Sequence, residues 1–112
     1  MSEQVAVSAD GQPKLVGVAC PECSGSLTIE RQGSLVKLQC RVGHVYSPQS
    51  FLAEYADTLE RTLWAAVRLL EEGAAASEFL TPPTSEIAGS ESDRRERLRA
   101  HAETLRRVLA EL

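Results

Sequence analysis

The sequence predicts an α+β protein: a small N-terminal ribbon, a β-hairpin with two metal-ligand turns, followed by a long antiparallel hairpin of two helices. Three observations predict it. Cysteine and histidine recur as Cys-x2-Cys and Cys-x3-His between residues 20 and 44. The apolar period changes from two to three-and-four residues after Tyr46. Hydrophobic residues make up 43% of the 112-residue chain but include only five aromatics, so Leu, Ala and Val supply the apolar mass, as in helix packing.

Residues 1–13 are polar and aperiodic, the pattern of a flexible arm. The ribbon is expected over residues 14–46. Leu15 to Ala19 form a short extended run into Cys20-Pro21-Glu22-Cys23, and Ser24-Gly25-Ser26 is turn material. Leu27 to Arg31 alternate like a half-buried strand, and Leu35 to Gln39 return the chain to Cys40. The three-residue link Gln32-Gly33-Ser34 between them suits a hairpin.

A long helix is expected over residues 47–80. Ser47 is a suitable N-cap, and Pro48 sits at the first helical position, where its missing N–H costs nothing. Leu52, Tyr55, Leu59, Leu63, Ala66 and Leu70 then trace one face, opposite a charged one. Gly73 weakens the helix by about 1 kcal/mol relative to Ala and marks a possible bend or break. Thr81-Pro82-Pro83-Thr84 stops it, and residues 81–92 read as a loop. A second helix is expected over residues 93–112, with Asp93 and Glu96 at capping-box spacing, or Ser90 or Ser92 as the cap. Its apolar stripe is Leu98, His101, Ala102, Leu105, Val108, Leu109 and Leu112. Being shorter, this helix leaves part of the first uncovered, for the ribbon or a second subunit to meet.

The ligand pattern is the most specific signal. Cys20 and Cys23 share one tight turn, sixteen residues allow a hairpin to return, and Cys40 with His44 complete a set of four. Three soft sulfurs and one imidazole match structural zinc, one Zn2+ per chain. An odd cysteine count argues against a disulfide framework. A Cys20–Cys23 redox pair with Cys40 as a buried thiol is the competing reading, but no βαβ pattern surrounds it and His44 would be left without a role. Catalytic zinc would need an open position and a nearby acid–base carboxylate, whereas four protein ligands close the site. Glu22 and Glu30 show no pattern for such chemistry.

Other candidates have plainer readings. His101 reads as a partly buried packing residue, and Trp64 as an anchor against the second helix or the ribbon rather than an exposed contact for a partner. Arg94, Arg95, Arg97 and Arg99 alternate with acids on a solvated face. No nucleophile–base–orienting set can be assembled, so the expectation is not an enzyme, with no small-molecule substrate. Residues 14–44 carry Lys14, Arg31, Lys37 and Arg41 against Glu22 and Glu30, while residues 45–112 carry twelve acids against eight bases. Four bases without aromatic interleaving make a poor nucleic-acid platform, so a nucleic-acid-binding zinc ribbon is the secondary reading. The N-terminus lacks a basic region and an apolar core of signal length, and no apolar stretch could span a membrane. A soluble, cytoplasmic protein is expected.

The segment from Cys20 to about Glu72 reads Cys-Pro-Glu-Cys-x-Gly-x-Leu, then Leu-Gln-Cys-Arg-Val-Gly-His-Val-Tyr-Ser-Pro-Gln-Ser, then Leu-Glu-Arg-Thr-Leu-Trp-Ala-Ala-Val-Arg-Leu-Leu-Glu-Glu. It resembles a C-terminal zinc-ribbon and helical extension of some bacterial homologues of the chemotaxis protein-glutamate methylesterase. About half the chain matches closely. The resemblance implies Cys20, Cys23, Cys40 and His44 as the ligand set, and Arg41, Gly43, Tyr46, Ser47, Pro48, Leu63 and Trp64 as signature residues. It does not carry over the esterase activity, whose serine–histidine–aspartate site lies in a domain upstream of that extension. Gly73 departs from the pattern, which keeps a strong helix former there. The functional expectation is a non-catalytic structural zinc-binding module for protein interaction or regulation, related to chemotaxis-type signalling, that meets a protein partner or a second copy of itself through its helices.

Overall fold

A computed structural model describes residues 14–112, so the arm expected over 1–13 lies outside the described residues. The order of elements is β1 (Lys14–Ala19), β2 (Ser26–Gln32), β3 (Leu35–Cys40), β4 (Val45–Tyr46), α1 (Pro48–Leu80) and α2 (Ala88–Ala110). The architecture is α+β, as the sequence predicts: an antiparallel sheet followed by two helices. The chain divides into two compact units whose boundary falls within α1, between Thr58 and Leu59.

In the first unit the strands follow one another across the sheet in the order β1-β2-β3-β4. β2 and β3 pair from Leu27–Cys40 to Gln32–Leu35. The link between them is therefore two residues, Gly33-Ser34, rather than three. Gly33 has a φ of 62° while Ser34 stays in the ordinary region. Glycine with positive φ at the first central position suits the right-handed twist of the flanking strands. β1 pairs with β2 through an irregularity between Leu15 and Ala19. The short β4, which hydrophobic alternation does not reveal, pairs Tyr46 with Leu38 and Val45 with Gln39.

Alternation places Leu27, Ile29, Leu38, Cys40 and Tyr46 on the buried face, where they join Cys20 and Phe51, with Val16 and Val36 packed alongside. Phe51 comes from the first turns of α1 and meets the Tyr46 ring edge-on, centroids 5.8 Å apart. Ser47 caps α1 as expected: its Oγ accepts the Ser50 N–H at 3.1 Å, and the Ser50 Oγ accepts the Ser47 N–H at 3.0 Å. This is capping-box reciprocity with serine at both positions.

α1 runs unbroken for 33 residues, so Gly73 neither bends it out of helix nor ends it. In the second unit α1 and α2 form a hairpin. Val67, Ala74 and Ser77 of α1 and Ala102 of α2 are buried. The Ser77 hydroxyl donates to Glu91 at 2.7 Å, and Arg106 grips Glu71 through two nitrogens at 2.9–3.1 Å. α2 starts at Ala88, ahead of the expected Asp93, so the loop is shorter than 81–92 and Asp93 lies inside the helix. Hydrogen bonds from Ser85 N–H to Pro82 C=O and from Ala88 N–H to Ser85 C=O wind the chain into α2 early. Ile87 occupies the cap position without a side-chain cap.

The α2 stripe is narrower than the apolar residues suggest. Leu98, Ala102, Leu105 and Leu109 are at least partly covered, whereas Val108 and Leu112 are exposed. His101 is exposed as well, a correction to its reading as a partly buried packing residue. Trp64 is half-exposed, and the Arg106 guanidinium of α2 lies 5.7 Å from its ring centroid. It meets the second helix through a cation rather than an apolar socket.

Candidate metal centre

Two tight turns carry the four ligand residues. In the first, Ser24 N–H donates to Cys20 C=O at 2.8 Å and Cys20 N–H to Gly25 C=O at 2.9 Å, with Ser24 in the left-handed region at a φ of 64°. This folds Cys20 and Cys23 onto the same side. In the second, Gly43 N–H donates to Cys40 C=O at 3.2 Å and Cys40 N–H to His44 C=O at 3.0 Å. Gly43 has a φ of 115°, a conformation that side-chain-bearing residues rarely adopt, and it brings His44 round to the sulfurs. The β2–β3 register then sets the two turns side by side, because Leu27 pairs with Cys40.

The ligand atoms of Cys20, Cys23, Cys40 and His44 all lie within 4.8 Å of one another, and the four residues could hold a metal ion. Every sequence-predicted ligand is brought to one place. Cys23 Sγ is 3.7 Å from Cys40 Sγ. His44 Nδ1 is 3.2 Å from Cys40 Sγ and 3.6 Å from Cys20 Sγ. Cys20 and Cys40 are buried, while Cys23 is exposed.

Electrostatics favour thiolate at two of the three cysteines, Cys40 and Cys20. Burial alone would raise the Cys40 thiol, but the backbone N–H groups of His44, Val42 and Gly43, with Cys23, outweigh it and bring the pKa down to about 6. One of those donors is the His44 N–H, 3.3 Å from the sulfur. At Cys20, burial is likewise outweighed, by the Tyr46 hydroxyl and the N–H groups of Glu22 and Cys23, and the pKa falls. Cys23 is raised: its bond from Gly25 lowers it, but burial and the neighbouring Cys40 and Cys20 sulfurs prevail. His44 is raised mainly by Cys40, against burial, with Cys20 and Glu22 adding. The metal-free site therefore favours thiolate beside imidazolium.

Two residues outside the ligand set reach the site. The Tyr46 hydroxyl lies 3.3 Å from Cys20 Sγ, buried beneath the sheet face. Burial, with Cys20 and Glu22 nearby, pushes its own pKa up. The Glu22 carboxylate lies 3.3 Å from His44 Nε2, the ring nitrogen other than the one beside Cys20 and Cys40. Sequence reasoning assigned Glu22 no such part. The available signal was its place inside Cys-x2-Cys, beside a ligand turn.

Fold and site together define the class: a small α+β protein whose N-terminal ribbon carries a Cys3His cluster able to hold a metal ion. No protein-family model, no curated protein and no solved structure matches the chain. Among the described residues, no helix is long and apolar enough to cross a membrane.

Proposed function

We propose that Cys20, Cys23, Cys40 and His44 bind one zinc ion per chain as a closed structural site, and that the protein is a non-catalytic module for protein interaction or regulation. The spacing of the ligand atoms carries the metal assignment. A tetrahedral zinc ion with bonds of about 2.3 Å to sulfur and about 2.0–2.1 Å to nitrogen sets sulfurs about 3.8 Å apart and sulfur about 3.5 Å from nitrogen. Three of the six separations, 3.7, 3.6 and 3.2 Å, fall close to those values, and the others lie within 4.8 Å. Three thiolates and an imidazole are a donor set that selects zinc over the hard, oxygen-seeking cations. Four protein ligands leave no position for a reacting water.

The interaction role rests on α1. Leu52 and Tyr55 recur at helical spacing and are 66% and 45% exposed, a pair suited to a protein partner or a second copy. A protein is favoured over nucleic acid because Lys37, one of four basic residues in the ribbon segment, is engaged by Glu30 at 3.4 Å across the β2–β3 pair. The resemblance to the helical extension of methylesterase homologues supports a place in chemotaxis-type signalling.

Native mass spectrometry tests the reading, returning metal identity, stoichiometry and oligomeric state together. One zinc per chain is expected. Chelation should abolish amide protection at Leu27, Ile29 and Leu38, because metal-binding free energy in such sites is folding free energy, about 10–16 kcal/mol in zinc-finger peptides. Unchanged protection and melting after EDTA would show that the metal is not structural.

A further inference from the structure

Resting on the metal reading above, we infer that Glu22 is a positioning residue for His44: its carboxylate holds the ring proton on Nε2 and so turns the Nδ1 lone pair toward the sulfurs of Cys40 and Cys20. The two ring nitrogens of His44 have different neighbours. Nδ1 faces Cys40 and Cys20 at 3.2 and 3.6 Å, while Nε2 faces Glu22 Oε1 at 3.3 Å. A neutral imidazole has one protonated and one bare nitrogen, and only the bare one can bind a metal. An acceptor at Nε2 therefore selects the tautomer that presents Nδ1. Carboxylates in this position orient a ligating histidine and raise its basicity.

The arrangement also ties the two ligand turns together. Glu22 lies between Cys20 and Cys23 in the first turn, and His44 ends the second. Their side chains are 46% and 35% exposed, so the pair contributes little as an ion pair in water. What it contributes is ring orientation: without it, rotation of the imidazole would direct either nitrogen, or neither, at the sulfurs.

The test is zinc affinity by competition with a chromophoric chelator, on the full chain at fixed pH near neutrality. Glu22→Ala should bind about tenfold more weakly, the lower end of the 10–100-fold range for such partners because the carboxylate is half-exposed. Glu22→Gln should recover most of the loss, since its carbonyl can accept the same proton. In nitrogen-15 spectra of the zinc-loaded wild type, His44 should be metal-bound at Nδ1 and protonated at Nε2, with the Nε2 proton exchanging faster in Glu22→Ala. Affinities of wild type and Glu22→Ala within about twofold, or a Gln variant as weak as the Ala variant, would overturn the inference while leaving the zinc site intact. A wild-type chain that takes up no zinc would overturn both.

Discussion

The hydroxyl of Tyr46 sits 3.3 Å from the sulfur of Cys20, and the same ring packs edge-on against Phe51 in the first turns of α1. One buried side chain thus touches a ligand of the candidate metal centre and the start of the long helix. Ser47, the next residue, caps that helix. Metal site, last strand and helix start are joined within a few residues.

Tyr46→Phe keeps the packing on Phe51 and removes only the contact with sulfur. It should cost about 1 kcal/mol, the net worth of a typical hydrogen bond. Tyr46→Ala also removes the ring and should cost about 3–5 kcal/mol, the range for deleting a buried aromatic. Thermal unfolding of the zinc-loaded protein would measure both. Equal losses in the two variants would mean that ring packing contributes nothing.

Acid should release the metal. In the metal-free ribbon the Cys40 pKa is depressed to about 6, so its contribution to stability is complete above the ordinary thiol value and is lost as pH falls through about 6. The His44 pKa is raised, so its contribution is complete below the ordinary imidazole value and is lost as pH rises through the raised one. Zinc must displace the protons of Cys23 and His44, both of whose pKa values are raised, so affinity should fall with every step toward acid from the raised Cys23 value downward. The fall should steepen below about 6. Chelator competition across a pH series would show it, and a flat profile would contradict the ligand assignment.

Gly73→Ala should stabilise the protein by about 1 kcal/mol, the helix-propensity difference. The added methyl would lie 3.8 Å from Leu98 Cδ1, an ordinary contact that fills space without a clash. A raised melting temperature is expected; a lowered one would show that α1 and α2 approach more closely there than this distance indicates.

Much of this protein is legible along the chain because the signals are local. Cys-x2-Cys and Cys-x3-His single out the four candidate ligands, since a tight turn presents two donors together at such spacings. Alternation over Leu27 to Arg31 marks β2, and Ser47-Pro48 marks the start of α1. Local signals also mislead. Asp93 and Glu96 have capping-box spacing, yet turn hydrogen bonds at Pro82 and Ser85 wind the chain into α2 sooner. His101 and Val108 extend an apolar stripe wider than the face that α1 covers.

By itself the sequence determined the class of fold, the four residues that could hold a metal ion and the reach of the long helix, each a matter of residue type and spacing. Tertiary structure decided the rest. Only strand register sets the Glu22 carboxylate beside His44 and the Tyr46 hydroxyl beside Cys20, across 22 and 26 positions of chain. Only helix-to-helix packing brings Leu98 to Gly73, within a helix that runs unbroken through that glycine. These are through-space relations among residues far apart in the chain, and no local period encodes them.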